Sequence, residues 1–479
     1  MLRDQTSSPV EVLVSVNRDA KGRLGAQIED QLRRAVRTGK AKPGTRLPST
    51  RDLAGQLGVS RHVVVEAYSQ LAAEGYLILR QGARPRVSDA VAATGRLAPS
   101  SAPRPTPVRF DFRPSVPEVA EFPRAAWLRA MREAIGAIPD ADLQYGDPAG
   151  VWALRSELAN YLGRVRGVVA GPLAVVVTTG YTQGLAIACR ALAATGRRRI
   201  ALEDPTNPEY RQLVARAGLE PVPLPVDDDG LRVDHLARSS VEAVVVTPAH
   251  QHPTGAVLSG ERRAALLGWL RAHDAIVIED DYDAEYRYDR TAVGALQGLE
   301  PDRIIYAGSA SKSLAPALRL GWLVVPPRLL HLVREEKQGA DGGTARIEQH
   351  ALALFLERGD LDRHLRRMRT RYRIRRDLLV AELTAAVPTA TVRGIAAGLH
   401  LTLELPHHYD EDRIVAELRR RNIALHPMRD YRADTRPSPP TLLFGYGQLP
   451  EQAIGTGVRE IVEVIRSSQT HSSSKRRYL

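Results

Sequence analysis

Apolar residues recur along this chain in two rhythms. In the first ninety residues the rhythm is helical. Leu24, Ile28, Leu32, Ala35 and Val36 fall on one face, and Gly39 ends the pattern, which predicts a first helix. A short second helix follows. Ser49 is placed to cap it, Asp52 stands three residues on as in a capping box, Leu53 and Leu57 share a face, and Gly58 suits a left-handed exit. Ser60 is placed to cap a third helix whose Val64, Ala67, Tyr68 and Leu71 point inward. The runs YLILR, QGAR and PRV then read as two strands around a turn. Two capped helices about a glycine turn, with a hairpin behind them, predict a helix-turn-helix with a wing.

From Leu173 the rhythm changes. LAVVVTT, RRRIALED, VEAVVVTPA, AIVIEDD, RIIYAGS and LGWLVV are apolar almost throughout and alternate with helical stretches. Continuous apolar strands separated by helices imply a mainly parallel sheet covered on both faces. Between the two regions, residues 90–107 (AVAATGRLAPSSAPRPTP) carry four prolines and cannot nucleate a core. The expected organisation is therefore a winged helix-turn-helix domain over 1–88, a linker over 89–108, a large α/β domain over 109–466 and a polar, disordered tail over 467–479.

Composition narrows the picture. With 479 residues, 43% hydrophobic and 25% charged, the chain is an ordinary globular protein of two or three domains. No apolar run approaches the roughly 18 residues of a membrane-spanning helix. The first ten residues include Asp4 and show no apolar core, so no secretory signal is expected and a cytoplasmic protein is the plain reading. The single cysteine, Cys189, excludes an internal disulfide and a multi-cysteine zinc site. Residues 1–88 hold 15 Lys/Arg against 8 Asp/Glu, a net +7 of the chain's +12. Such a concentrated field suits a polyanion, although an arginine-rich composition alone would give part of it.

The first turn of the third predicted helix exposes Ser60, Arg61 and His62, at the end that enters the major groove in helix-turn-helix proteins. Arg61 can offer a bidentate fork to guanine, and Arg51 can reach a phosphate or a base edge. The segment LPSTRDLAGQLGVSRHVVVEAYSQLAAEGYL resembles the winged-helix domain of GntR-type regulators, whose pattern is LPS-x-R-x-LA, a VSR turn and L-x-x-EGYL. The resemblance implies operator contacts from Arg51, Arg61 and His62 and from the wing tip, here Gln81, Gly82 and Arg84. The wing itself departs from the family's Gly-rich, small-hydroxyl pattern, reading GARPRV.

In a parallel sheet, ligands sit at the carboxyl ends of the strands. Four strand ends here carry polar sets. TTGYTQG (178–184) offers a glycine and a helix N-terminus for an anion. In IEDDYD, Asp280 and Tyr282 share one strand face, with Asp281 and Asp283 on the other. A carboxylate buried there needs a cationic partner, such as a protonated pyridine nitrogen. An aspartate cluster also suits magnesium or calcium, but no second ligand cluster accompanies it. GSASKSLAPALRLGW (308–322) sets Ser309 and Ser311 about Lys312, with Arg319 seven residues on. Two hydroxyls and a guanidinium suit a phosphate, and a desolvated amine can form a Schiff base with an aldehyde. TPAHQHPTG (247–255) brings His252 to the same edge.

Together these four runs, with YGDPAGVWALRSELANYL (145–162), resemble fold-type I aminotransferases of the aspartate aminotransferase class over residues 110–465. The resemblance implies pyridoxal 5′-phosphate as cofactor, with Lys312 as its Schiff-base lysine. Asp280 would lie at the pyridine nitrogen and Tyr282 at the ring phenolate. Ser309, Ser311 and Arg319 would hold the phosphate, with Gly180, Tyr181 and Thr182. A GntR-type head joined by a linker to such a domain resembles the MocR/GabR subfamily, whose regulators are typically head-to-tail homodimers that sense a small molecule through the cofactor.

Several positions depart from the family pattern. Asn207 stands where the family's tyrosine stacks on the cofactor ring, and Glu209 where the subfamily's GABA sensor has a carboxylate-binding arginine. His252 replaces an asparagine beside the phenolate, and Leu443 occupies the place of the arginine that grips a substrate carboxylate. Arg429, Arg432 or Arg436 would have to substitute. Ordinary transamination is therefore not expected beyond a residual level. The expected function is a pyridoxal-phosphate-dependent, DNA-binding transcriptional regulator that senses a metabolite: the cofactor itself, an amine or an amino acid. A catalytically active aminotransferase with an accessory DNA-binding domain is the alternative.

Overall fold

The computed structural model describes residues 14–18, 23–90, 108–288, 293–433 and 437–474. The chain forms two compact units, residues 1–105 and 106–479. The linker expected over 89–108 falls almost wholly on residues 91–107, outside the described residues.

In the first unit, α1 (Leu24–Arg37), α2 (Thr50–Leu57) and α3 (Arg61–Ala73) precede β1 (Leu77–Ile78) and β2 (Arg86–Val87), which pair antiparallel. The inward positions of the helical rhythm make the core: Ile28, Leu32, Val36, Leu53, Val64, Ala67, Tyr68 and Leu71 are all buried. Ser49 Oγ accepts from the Asp52 backbone N–H at 3.1 Å, and Gly58 ends α2 at φ +61°. The Tyr68 hydroxyl donates to the Pro48 carbonyl at 3.0 Å, tying α3 to the loop before α2. Ser60 occupies the N-cap position of α3, but its side chain makes no capping bond. The Val63 N–H, which a capping hydroxyl would take, donates instead to the Ser60 carbonyl at 3.1 Å.

The second unit opens with β3 (Phe110–Asp111), α4 (Arg124–Ala137) and α5 (Trp152–Arg166). There follow β4 (Val175–Thr178), α6 (Tyr181–Ala194), β5 (Arg199–Asp204), α7 (Pro208–Arg216), β6 (Glu220–Asp227), β7 (Gly230–Leu231), α8 (Val233–Leu236) and β8 (Ala243–Val246). Next come α9 (Gly260–His273), β9 (Ile276–Asp281), β10 (Ile304–Ser309), α10 (Ala310–Ser313) and β11 (Gly321–Val324). The eight strands lie in the order β4-β11-β10-β9-β8-β5-β6-β7. The run β10-β9-β8-β5-β6 is parallel, whereas β11 runs antiparallel to both β10 and β4. The chain re-enters the sheet through α10 and a short turn, without the long crossover that a parallel return requires.

Alternate residues of these strands feed two cores. Ile200, Ala243, Val245, Ile276 and Ile278 pack with Leu185, Ile187 and Leu192 of α6. Ala201, Val244, Val246 and Val277 pack with Leu266, Trp269 and Leu270 of α9. A strand buried on both faces has no polar alternation to show, which is why these runs read as continuously apolar. This is the fold-type I α/β architecture.

The rest of the unit holds α11 (Pro327–Asp341), α12 (Arg346–Glu357), α13 (Asp360–Ala386), β12 (Thr391–Arg393), β13 (His400–Glu404), α14 (Glu411–Arg420), β14 (Ile423–Ala424), β15 (His426–Pro427), β16 (Thr441–Gly445) and α15 (Glu451–Ser474). A second, antiparallel sheet has the order β12-β13-β16-β15, and β14 pairs parallel with β3. The segment expected to be a disordered tail from residue 467 continues α15 as far as Ser474. Polar composition had suggested coil, but the helix already anchored by Ile454, Val458, Ile461 and Ile465 propagates into it.

Candidate functional site

The carboxyl ends of β4, β5, β8, β9 and β10 open onto one cavity of about 540 Å³. Its floor is built from the strand-end motifs. Asp280, one residue from the end of β9, is buried, and its Oδ1 has no hydrogen-bond partner. Burial, with Asp281, Asp283 and Glu203 nearby, holds its carboxyl well above the usual carboxylate range. The buried Tyr181 hydroxyl stands beside it and draws its pKa the other way. Lys312, on α10, reaches the same cavity. Burial lowers its ammonium pKa against the opposing pull of Asp283 and Asp280, which favours the nucleophilic neutral amine.

An anion cradle adjoins the floor. Gly180, at φ +119°, opens α6, and a Cβ there would stand 3.5 Å from the Arg319 guanidinium. Arg319 itself holds a left-handed φ of +50° and has no ion pair among the described residues. Thr182, Ser309 and Ser311 line the cavity with it, and the Ser309 hydroxyl accepts from the Ser311 N–H at 3.4 Å. The α6 N-terminus, two hydroxyls and an unpaired guanidinium make a phosphate site. With an unpartnered carboxyl for a ring N–H and an amine for an aldehyde, these residues fit pyridoxal phosphate.

β9 ends at Asp281, so the alternation of faces separates Asp280 from Asp281 but does not continue beyond, where Tyr282 and Asp283 both meet His250 Nδ1. Asp280 and Tyr282 line the cavity. Asp281 points away, where its Oδ2 accepts from Arg166 Nε at 2.7 Å and from the Tyr306 hydroxyl at 2.7 Å. Asp283 Oδ2 lies 2.9 Å from His250 Nδ1, which is also 3.1 Å from the Tyr282 hydroxyl. His252 lines the cavity, 3.3 Å from Ser115 Oγ through its Nδ1. Burial, then Lys312 and the neighbouring histidines, push its pKa down to about 3, so its ring is uncharged. His250, Asp283 and His400 have ligand atoms within 4.8 Å of one another, as a metal site needs, but His250 and Asp283 already bond each other.

Asn207 stands at the position where the family's tyrosine stacks on the cofactor ring, and an amide cannot stack there. In the structure its Oδ1 accepts from the Glu209 N–H at 3.0 Å and caps α7, although the residue still lines the cavity. The aromatic wall comes from Tyr210, three residues further, packed against Tyr181 with ring centroids 5.3 Å apart. A tyrosine one helical turn past a capping asparagine was the available signal. Thr206, Thr247, His426 and Tyr431 also line the cavity and were not anticipated. Leu443 is fully buried in β16 against Met428 and Tyr431. Neither Arg429 nor Arg432 replaces an arginine there: Arg429 pairs with Asp412, and Arg432 lines a neighbouring cavity. Arg436 lies outside the described residues.

On the first unit, Arg51, Ser60, Arg61 and His62 are all exposed on the adjoining N-terminal ends of α2 and α3. Arg61 Nε lies 3.4 Å from Thr50 Oγ1. The wing tip, Gln81, Gly82 and Arg84, is exposed, with Gly82 at φ +78°. Arg84 reaches Asp52 of α2 at 3.7 Å, so the wing and the helix-turn-helix form one surface. Lys42, Arg46, Arg80 and Arg86, which sequence reasoning did not single out, join Arg84 around an open cleft of about 750 Å³.

Residues 24–87 match the family described as bacterial regulatory proteins, gntR family, and residues 118–441 match aminotransferase class I and II. The chain is 32% identical over 458 residues to the HTH-type pyridoxine biosynthesis transcriptional regulator PdxR of Corynebacterium glutamicum, covering 94% of this chain and 98% of that one. It is 35% identical over 389 residues to the probable rhizopine catabolism regulatory protein MocR of Rhizobium meliloti, covering 77% and 79%. Among solved structures, a multiple substrate aminotransferase from Thermococcus profundus superposes with a TM-score of 0.70 at 25% identity, covering 76% of this chain and 93% of that one. Kynurenine aminotransferase from Pyrococcus horikoshii, solved with PMP, gives 0.69 at 25% identity, covering 76% and 92%.

Proposed function

Because the chain belongs to the MocR/GabR-type subfamily of GntR transcriptional regulators, we propose that it binds operator DNA through its winged helix and adjusts that binding to what occupies the pocket of its aminotransferase-like domain. Bound pyridoxal phosphate supplies an electrophilic aldehyde on a ring that can withdraw electrons. Lys312 would hold that group covalently. Asp280 would keep a proton at the ring nitrogen, Tyr282 and His252 would orient the ring oxygen, and Arg319, Gly180, Thr182, Ser309 and Ser311 would hold the phosphate. A second ligand regulates only if it binds the DNA-competent and incompetent arrangements with different affinity. That ligand is the cofactor itself or an amine.

One observation carries the reading. A floor fitted to the cofactor coexists with a cavity in which Arg319 is the one lining arginine among the described residues. An aminotransferase needs a further cation for its substrate carboxylate; a sensor does not. The name of the pyridoxine biosynthesis regulator among its relatives supports the cofactor as one signal. We further infer a homodimer acting in the cytoplasm. Leu128 and Ile135, seven residues apart on α4, with Leu143, Tyr145 and Trp152, are large apolar side chains left exposed by the single chain.

The test is operator mobility shift with and without pyridoxal phosphate, beside borohydride reduction and peptide mapping. Reduction is expected to fix the cofactor on Lys312 in the wild type and not in Lys312→Ala, whose winged helix stays folded. Operator affinity indifferent to the cofactor, or label on another lysine, refutes the proposal. Multiple rapid turnovers with an amino acid and a keto acid would restore the aminotransferase alternative.

A further inference from the structure

The cavity does not end at the cofactor floor. Beyond Asp280, whose buried Oδ1 has no hydrogen-bond partner, its wall continues over Ser115, Glu209, His426, Asp430 and Tyr431. Glu209 and Asp430 are exposed carboxylates lining this outer part. The histidines beside them do not offset them. Burial pushes His252 down to about 3 and lowers His426, whose Nδ1 lies 2.8 Å from the Tyr431 hydroxyl.

Neighbouring arginines are committed elsewhere. Arg113 donates to Asp111 at 2.8 Å. Arg211 donates to the carbonyls of Tyr431 and Arg432 at 3.0 and 3.2 Å. Arg429 pairs with Asp412, and Arg432 lines a separate cavity with Arg393 and Glu404. The described rim is therefore negative, with hydroxyls at Ser115 and Tyr431. A carboxylate brought to this outer wall would meet two like charges and, among the described residues, no cation besides the Lys312 and Arg319 of the floor; an ammonium would meet two opposite charges.

We infer that the outer pocket selects a small aliphatic amine that carries a second positive group and no carboxylate, Glu209 and Asp430 being the residues that set this preference. The inference rests on the sensor reading above and names the ligand class of that same site. Both carboxylates are exposed, so the preference weakens as salt rises.

Three probes of equal chain length separate the terms: 1,4-diaminobutane, butylamine and 4-aminobutanoate. Each is titrated by calorimetry into the full chain loaded with pyridoxal phosphate, and operator mobility is measured in parallel. The diamine is expected to bind at least about tenfold more tightly than the amino acid, the ratio equivalent to ~1.4 kcal/mol, with butylamine between them. In Glu209→Gln/Asp430→Asn the three affinities should converge, and loading with cofactor is checked in the same samples. The amino acid binding as tightly as the diamine overturns the inference, as does an order of affinities that survives in the double variant. If the wild type takes up cofactor but binds none of the amines, the inference falls and the cofactor-as-signal reading stands. If no cofactor is taken up, both fall.

Discussion

Replacing Arg166 by leucine tests how the site is held from behind. The guanidinium sits at the end of α5 with a side chain 2% exposed, against an Asp281 side chain 3% exposed. It donates through Nε to Asp281 Oδ2 at 2.7 Å and through Nη1 to the Val293 carbonyl at 2.6 Å. Asp281 Oδ1 has no partner, so after the substitution the Tyr306 hydroxyl would be the one remaining donor seen on that carboxylate. Arg166 also restrains Glu279 and Glu285, which burial pushes up to about 7. Removing one partner of a buried pair leaves an uncompensated charge and costs about 3–5 kcal/mol. Arg166→Leu should lose stability in that range, and Arg166→Leu/Asp281→Leu should regain at least half of it, because the stranded carboxylate is gone. All four tryptophans, Trp127, Trp152, Trp269 and Trp322, lie in the second unit, so their fluorescence in a urea titration at pH 7 follows that unit alone. A loss below about 1 kcal/mol, or a double variant no better than the single, would refute the reasoning.

Three further outcomes are expected. Arg61→Ala should weaken operator binding by about 1–3 kcal/mol if the side chain reads a guanine; an equal loss on random DNA in a mobility shift would assign it to phosphate instead. Gly180→Ala should weaken uptake of pyridoxal phosphate, since an alanine at φ +119° is strained and its Cβ comes 3.5 Å from the Arg319 guanidinium; unchanged affinity would place the phosphate elsewhere. Glu203, held up at about 7 from 4.5 by burial, keeps its proton longer in the folded chain than in the unfolded one, so it withdraws stability as pH rises through that interval. Glu203→Gln should therefore raise the melting temperature clearly at pH 8 and much less at pH 5, and an equal change at both pH values would count against this account.

The helical and apolar rhythms made both units legible because each follows from burial. Val64, Ala67, Tyr68 and Leu71 repeat at the period of a helix that shows one face to a core. Ile276 to Ile278 are apolar throughout because their two faces meet different helices. The direction of β11 was not legible, since side-chain pattern does not encode which way a buried strand runs. The site was legible where chemistry is tied to a strand end, as at Asp280 and Lys312. It was not where a residue acts through the geometry of its own helix: Asn207 is spent on a cap, and Tyr210 gains its place only through the first turn of α7. The basic cleft around Lys42, Arg46 and Arg80 joins residues far apart in sequence, and no local spacing reveals it.

The pair Asp280–Asp281 makes the strand intolerant of slippage. Because neighbouring side chains on β9 point opposite ways, a single residue inserted or deleted between His273 and Ile276 would switch the face of each carboxyl, unless the loop absorbed the change. An insertion would deliver the open acid to Arg166, and a deletion would carry the clasped one into the pocket. Lengthening the turn on the far side of the strand, after Asp283, shifts neither. Two indels of equal size, a few residues apart, are thus expected to differ sharply in what they leave of the protein.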